Sequence, residues 1–243
     1  LLERYIDFYD QHKLLMLILN VGCYVLPFYY LYKSWRLGAL IALFLYIHEI
    51  GHYLACKFFK IEVRGIYLLP FFGGLIKLKA ENNIFKMSTV VISGPVFSTI
   101  CGIIYLLFYF IFGLKDYFWA AYFAAFINLF NLIPWASFDG GKILSSILFS
   151  FSQTSVRIFT ICLIIISGFT NLFMPISLII FLGLPTFFSG FQLYTTYFEF
   201  KNSDLYLSGQ YPIMTSKEAA VMSIAYAILI IVSISQLYIT WPI

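Results

Sequence analysis

The sequence predicts an all-α polytopic membrane protein with six to seven transmembrane helices and one membrane-associated β-hairpin or re-entrant loop. Three observations carry that prediction. Of the 243 residues, 62% are hydrophobic and 11% charged, and the mean hydropathy of +0.91 lies far outside the soluble globular range. The apolar residues gather in runs of the length that a bilayer requires, separated by short segments that hold most of the Lys and Arg. One stretch, 61–80, changes to β-branched alternation around Pro70 and the Gly73–Gly74 pair, a hairpin signature.

In chain order, residues 1–13 form a polar and aromatic lead-in, and Leu14–Tyr32 is the first span. Lys33 and Arg36 break it from the second, Leu37–Phe59, which Lys57 and Lys60 close. The stretch Leu68–Ile76 is too apolar for an aqueous loop and is expected to dip into the membrane where protein or a cavity covers its backbone. Met87–Phe112 is the third span, with Ser93-Gly94-Pro95 near its start, and Tyr117–Trp135 the fourth, broken by Pro134. Lys142–Phe151 is a short amphipathic piece. Apolar runs at Val156–Leu172 and Pro175–Tyr194 supply one or two further spans, and Ala219–Trp241 is the last.

Charge orients these spans. With seven spans and a cytosolic N-terminus, the cytosolic segments hold 12 Lys and Arg, and the outer ones only Lys33, Arg36 and Lys115; six spans give 10 to 5. The chain is therefore expected in the cell membrane as a multi-pass protein whose 61–80 loop faces the cytosol. The net charge of +4 reflects this loop bias and points to no nucleic-acid partner; the bilayer itself is the environment. Cys23, Cys56, Cys101 and Cys162 stand singly in apolar runs, so neither a disulfide framework nor a Cys-type zinc site is implied.

The second span carries His48-Glu49-Ile50-Gly51-His52. Residues four apart on a helix lie one above the other, so His48 and His52 can offer two imidazole nitrogens to one metal ion, while Glu49 is placed to take a proton from an activated water. With only 3 His in the chain, chance yields this pattern on the order of once in a thousand sequences. Ionisable groups in hydrocarbon cost several kcal/mol unless they have a role or a partner. A catalytic zinc takes three protein ligands and one open position, so a third ligand is needed. Of the 11 acidic residues, only Glu49 and Asp139 lie within or at the broken edge of apolar spans, which makes Asp139 the candidate third ligand; its alternative role is a helix cap. Asn128 and Asn131 share one helical face. Asn131 is a candidate donor to substrate, and interhelical hydrogen bonding suits Asn128 better. Cys56 lies one turn further along the histidine face.

His48-Glu49-Ile50-Gly51-His52, taken with Asn131-x-x-Pro134-x-x-x-x-Asp139-Gly140 on a later span, resembles the site-2 protease family of intramembrane zinc metalloproteases. The resemblance covers about residues 37–142, the expected catalytic core of a single integral membrane domain 1–243, with 143–243 as accessory C-terminal helices. It implies one Zn2+ held by His48, His52 and Asp139, with Glu49 activating water for hydrolysis of a peptide bond in a membrane-embedded protein or peptide, for regulated intramembrane proteolysis or precursor processing. It also implies that Gly73 and Gly74 belong to a membrane-dipping hairpin whose edge can pair with an unwound substrate strand. Many relatives carry Asn where Ser98 stands here. No PDZ-like or CBS-like domain fits, so control is expected from a regulatory membrane partner or from the substrate, with the site opening toward the cytosol. Two other readings compete: a membrane metalloprotease whose third ligand is a Glu, Glu199 or Glu218, and a non-catalytic transporter or chaperone.

Overall fold

The computed structural model describes residues 8–69, 73–78, 83–133, 138–151 and 214–241. Helix α1 (Lys13–Tyr32) and helix α2 (Trp35–Phe58) lead into strands β1 (Val63–Leu69) and β2 (Gly73–Leu78). Helices α3 (Ile84–Phe112), α4 (Lys115–Asn131), α5 (Asp139–Phe151) and α6 (Ser216–Ile239) follow. Four of these, α1, α2, α3 and α6, are long and apolar enough to cross a membrane. The expected runs at Val156–Leu172 and Pro175–Tyr194 lie outside the described residues, as do Pro134 and Trp135.

Local chemistry sets the helix ends. Ser34 caps α2 by accepting from the Leu37 amide at 3.1 Å. Thr215 and Glu218 form a capping box ahead of α6: the Thr215 amide donates to Glu218 Oε2 at 2.8 Å, and the Glu218 amide to Thr215 Oγ1 at 3.3 Å. Helix α4 stops at Asn131, short of the span expected to reach Trp135. Pro134 has no amide hydrogen to donate and its ring disfavours helical geometry in the residue before it, so the helix ends early.

The chain divides into two compact units. The first holds α1, α2, both strands, α3 from Ser93, α4 to Phe130 and α6 from Leu229. Its apolar core joins Leu37, Ile41 and Phe44 of α2, Cys101 and Tyr105 of α3, and Ala120, Ala121 and Ala124 of α4. The alanine face of α4 lets the helices approach closely, as small residues do inside membranes. Tyr105 donates its hydroxyl to the Leu40 carbonyl at 2.7 Å, and Ser34 donates to Asp116 at 2.7 Å, which puts the α1–α2 and α3–α4 connections at the same end of this unit. Asn128 of α4 donates to Thr99 Oγ1 of α3 at 2.9 Å and to Ser233 Oγ of α6 at 3.1 Å, so it is the interhelical link the sequence suggested.

Strands β1 and β2 pair antiparallel, with Leu69 opposite Gly73 and Leu68 opposite Gly74, and the register slips between Val63 and Gly65. Tyr67 of β1 meets Tyr9 edge-on with ring centroids 5.4 Å apart, and its hydroxyl donates to Asp10 at 3.1 Å, fixing residues before α1 against the strand. The second unit comprises residues up to Ile92 at the start of α3, Asn131 onward through α5, and α6 to Ile228. In it Tyr226 donates to the Leu132 carbonyl at 2.6 Å.

Candidate active site

Helix α2 presents His48, Glu49 and His52, all less than a tenth exposed. The two imidazoles meet edge-on, and their Nε2 atoms are 3.1 Å apart. Two nitrogens bound tetrahedrally to one zinc at ordinary Zn–N lengths stand about 3.3 Å apart, so these lone pairs already converge at nearly that spacing.

Helix α3 forms the back of the histidine pair. A Cβ on Gly51 would lie 2.6 Å from the Ser93 carbonyl oxygen and 3.1 Å from Gly94 Cα, so two glycines meet where α2 and α3 cross. A Cβ on Gly94 would lie 2.9 Å from His48 Nε2 and would collide with His52 Nε2 and Cε1. Backbone therefore touches the imidazoles directly at this crossing, and no larger residue fits. One turn further along α3, Ser98 Oγ stands 2.8 Å from His48 Nδ1, both groups buried. The sequence marks Ser98 only as a departure from a family pattern. The signal that was available is its place in the small-residue row Gly94, Ser98, Gly102, spaced at every fourth position as close helix packing requires.

Asp139 opens α5 and is 6% exposed. Asn131, the last residue of α4, donates from Nδ2 to Asp139 Oδ2 at 2.8 Å and accepts from the Asp139 amide at 3.5 Å. This exchange holds the start of α5 against the end of α4. Gly140 allows it: a Cβ there would run into the Leu132 carbonyl and lie 2.7 Å from the Ile133 oxygen. Lys142 approaches Asp139 Oδ1 at 3.5 Å, but it is about half exposed and contributes little. Asn131, expected to face substrate, thus has its amide engaged with Asp139.

One ligand atom from each of His48, His52 and Asp139 lies within 4.8 Å of the others, a group that could hold a metal ion. Two imidazoles and a carboxylate leave a fourth tetrahedral position open, the donor set of catalytic zinc. Cys56, fully buried on the same helix, is not in that group. Gly73 and Gly74 begin β2, Glu218 serves in the capping box of α6, and Glu199 lies outside the described residues.

The family profile described as Peptidase family M50 matches residues 37–116. That range includes nearly all of α2, with its histidines, and the whole of α3, and ends before Asp139. A curated protein of Methanocaldococcus jannaschii, "Zinc metalloprotease MJ0392", is 34% identical over 110 residues, which are 42% of this chain and 31% of the relative. The chain therefore spans about a third of that relative's length. The family match runs through the helix that bears the histidines and the helix packed on its back, and over that part the chain is similar to peptidase family M50.

Proposed function

We propose that this chain is an intramembrane zinc metalloprotease that hydrolyses a peptide bond within or near the transmembrane segment of a membrane-bound protein or peptide. The observation that carries the reading is the group His48, His52 and Asp139, buried side chains with ligand atoms within 4.8 Å of one another. The residues from 37 to 142 form the catalytic core.

His48 and His52 would hold zinc, and Asp139 would supply the third ligand with its carboxylate steadied by Asn131. When bound there, the metal would supply Lewis acidity toward water and the scissile carbonyl. Glu49, next to His48 and buried with it, takes the proton of the attacking water and returns it to the leaving amine, so the peptide bond breaks with no net gain or loss of protons on the enzyme. Burial strengthens each electrostatic contact on this path.

Substrate reaches the site as unwound chain, because a hydrogen-bonded helix hides its carbonyls. Strands β1 and β2 form a two-stranded sheet among the described residues, and the edge near Gly73 and Gly74 offers backbone groups to such a strand. The lysine and arginine distribution supports an opening on the cytosolic side. Engagement of Glu218 in the α6 capping box speaks against its use as an alternative ligand.

The test is cleavage of a panel of membrane-embedded peptides by purified protein in lipid discs, comparing wild type with Glu49→Gln. The reading predicts products from the wild type, loss by at least about a thousandfold in the variant with zinc retained, and inhibition by a chelator. A Glu49→Gln protein that cleaves at the wild-type rate would refute it.

A further inference from the structure

We infer that Ser98 is a positioning residue for the metal site, acting through His48. This rests on the reading of His48 as a ligand. The Nε2 atoms of His48 and His52 face one another at 3.1 Å, so the nitrogen His48 turns to the metal is Nε2. Its other nitrogen, Nδ1, then carries the hydrogen and donates to Ser98 Oγ, 2.8 Å away. That single bond does two things: it fixes the tautomer that leaves Nε2 with a bare lone pair, and it sets the ring's rotation about Cβ–Cγ. Outer partners of this kind are part of how a protein aims a ligating histidine.

The surroundings are built for it. Ser98 is 1% exposed and His48 8%, so bulk water has little access to replace the hydroxyl. A serine side chain is short, and it reaches an imidazole on the next helix only where the helices nearly touch. Gly51 and Gly94 create that approach one turn away. Ser223 and Ser235 of α6 show the ordinary use of a serine in an apolar helix: each returns its hydroxyl to the carbonyl four residues back, at 2.8 Å. Ser98 differs in meeting a side chain 50 positions away on another helix.

The experiment measures zinc affinity by chelator competition in detergent for wild type, Ser98→Ala, Ser98→Thr and His48→Asn, with thermal unfolding of each recorded alongside. The expected result is a 10- to 100-fold weaker zinc Kd for Ser98→Ala, recovery to within about threefold in Ser98→Thr, which restores the hydroxyl, and near-complete loss in His48→Asn. Cobalt-loaded Ser98→Ala should also show shifted visible absorption bands, which a merely structural defect would not produce. Should Ser98→Ala bind zinc within twofold of wild type while His48→Asn loses it, the inference is overturned and the proteolytic reading stands. Should His48→Asn bind like wild type, the metal assignment fails and takes this inference with it. A measurement on the zinc-loaded wild type needs no variant: nitrogen NMR should show the His48 ring hydrogen on Nδ1, and a hydrogen on Nε2 contradicts the inference.

Discussion

Replacing Gly94 by alanine separates fold from function at this site. The added methyl would stand 2.9 Å from His48 Nε2 and nearer still to the His52 ring, where ordinary contact begins at 3.4 Å. The His48 ring must therefore retreat by about 0.5 Å, and the His52 ring by more, whereas ligand distances in a working metal site tolerate only about 0.2 Å. Stability responds far less. Alanine is worth about 1 kcal/mol over glycine inside a helix, and overpacking costs about 1–3 kcal/mol, so the net loss is about 0–2 kcal/mol. The fold survives while zinc affinity falls by at least about tenfold, the lower range seen even for outer partners of a ligand. Zinc content after dialysis against a buffered metal, read beside the unfolding temperature in the same detergent, checks both halves. A Gly94→Ala protein that keeps a full equivalent of zinc at wild-type affinity would refute the close approach of α3 to the imidazoles.

Removing the Asn131 amide by Asn131→Ala should weaken zinc about 10- to 100-fold by freeing the Asp139 carboxylate, a shift that competition titration measures; unchanged affinity would mean that Asn131 faces something else. Asn128→Ala breaks the donations to Thr99 and Ser233 and should cost about 1–2 kcal/mol, seen as a lower unfolding temperature with zinc content intact. Single reporter cysteines introduced at Lys33 and Lys115 into a chain without its own cysteines should both be labelled from outside the cell and one at Lys60 only from within; labelling of all three from one side contradicts the alternation of spans.

What the sequence reveals best is what one helix contains. His48 and His52 belong to a single regular element, so their shared face follows from helical spacing alone, and the scarcity of carboxylates near apolar runs was enough to single out Asp139. The ends of α2 and α3 were readable to within a few residues for the same reason: a polar break or a cap marks each of them. Contacts between helices were not readable. A hydroxyl such as that of Ser98 can turn to its own helix or to a neighbour, and nothing in residue order says which; it takes the meeting of Gly51 with Gly94 to bring α3 against the histidines. Asn131 illustrates the same gap, since its amide suits a substrate as well as it suits Asp139, and only the fold around Gly140 brings the carboxylate to it. The fourth helix ends at Asn131 although hydropathy continues beyond it, because hydropathy marks apolar residues and not where backbone hydrogen bonding stops.

The central claim is that His48, His52 and Asp139 share one zinc ion, and X-ray absorption at the zinc edge of the purified protein tests it most directly. The account predicts one zinc per chain with only nitrogen and oxygen neighbours at about 2.0–2.1 Å, two of them showing the outer scattering of imidazole, and loss of the bound metal in Asp139→Asn. A sulfur neighbour at about 2.3 Å, which would bring in Cys56, or an unaltered spectrum in Asp139→Asn, would contradict it.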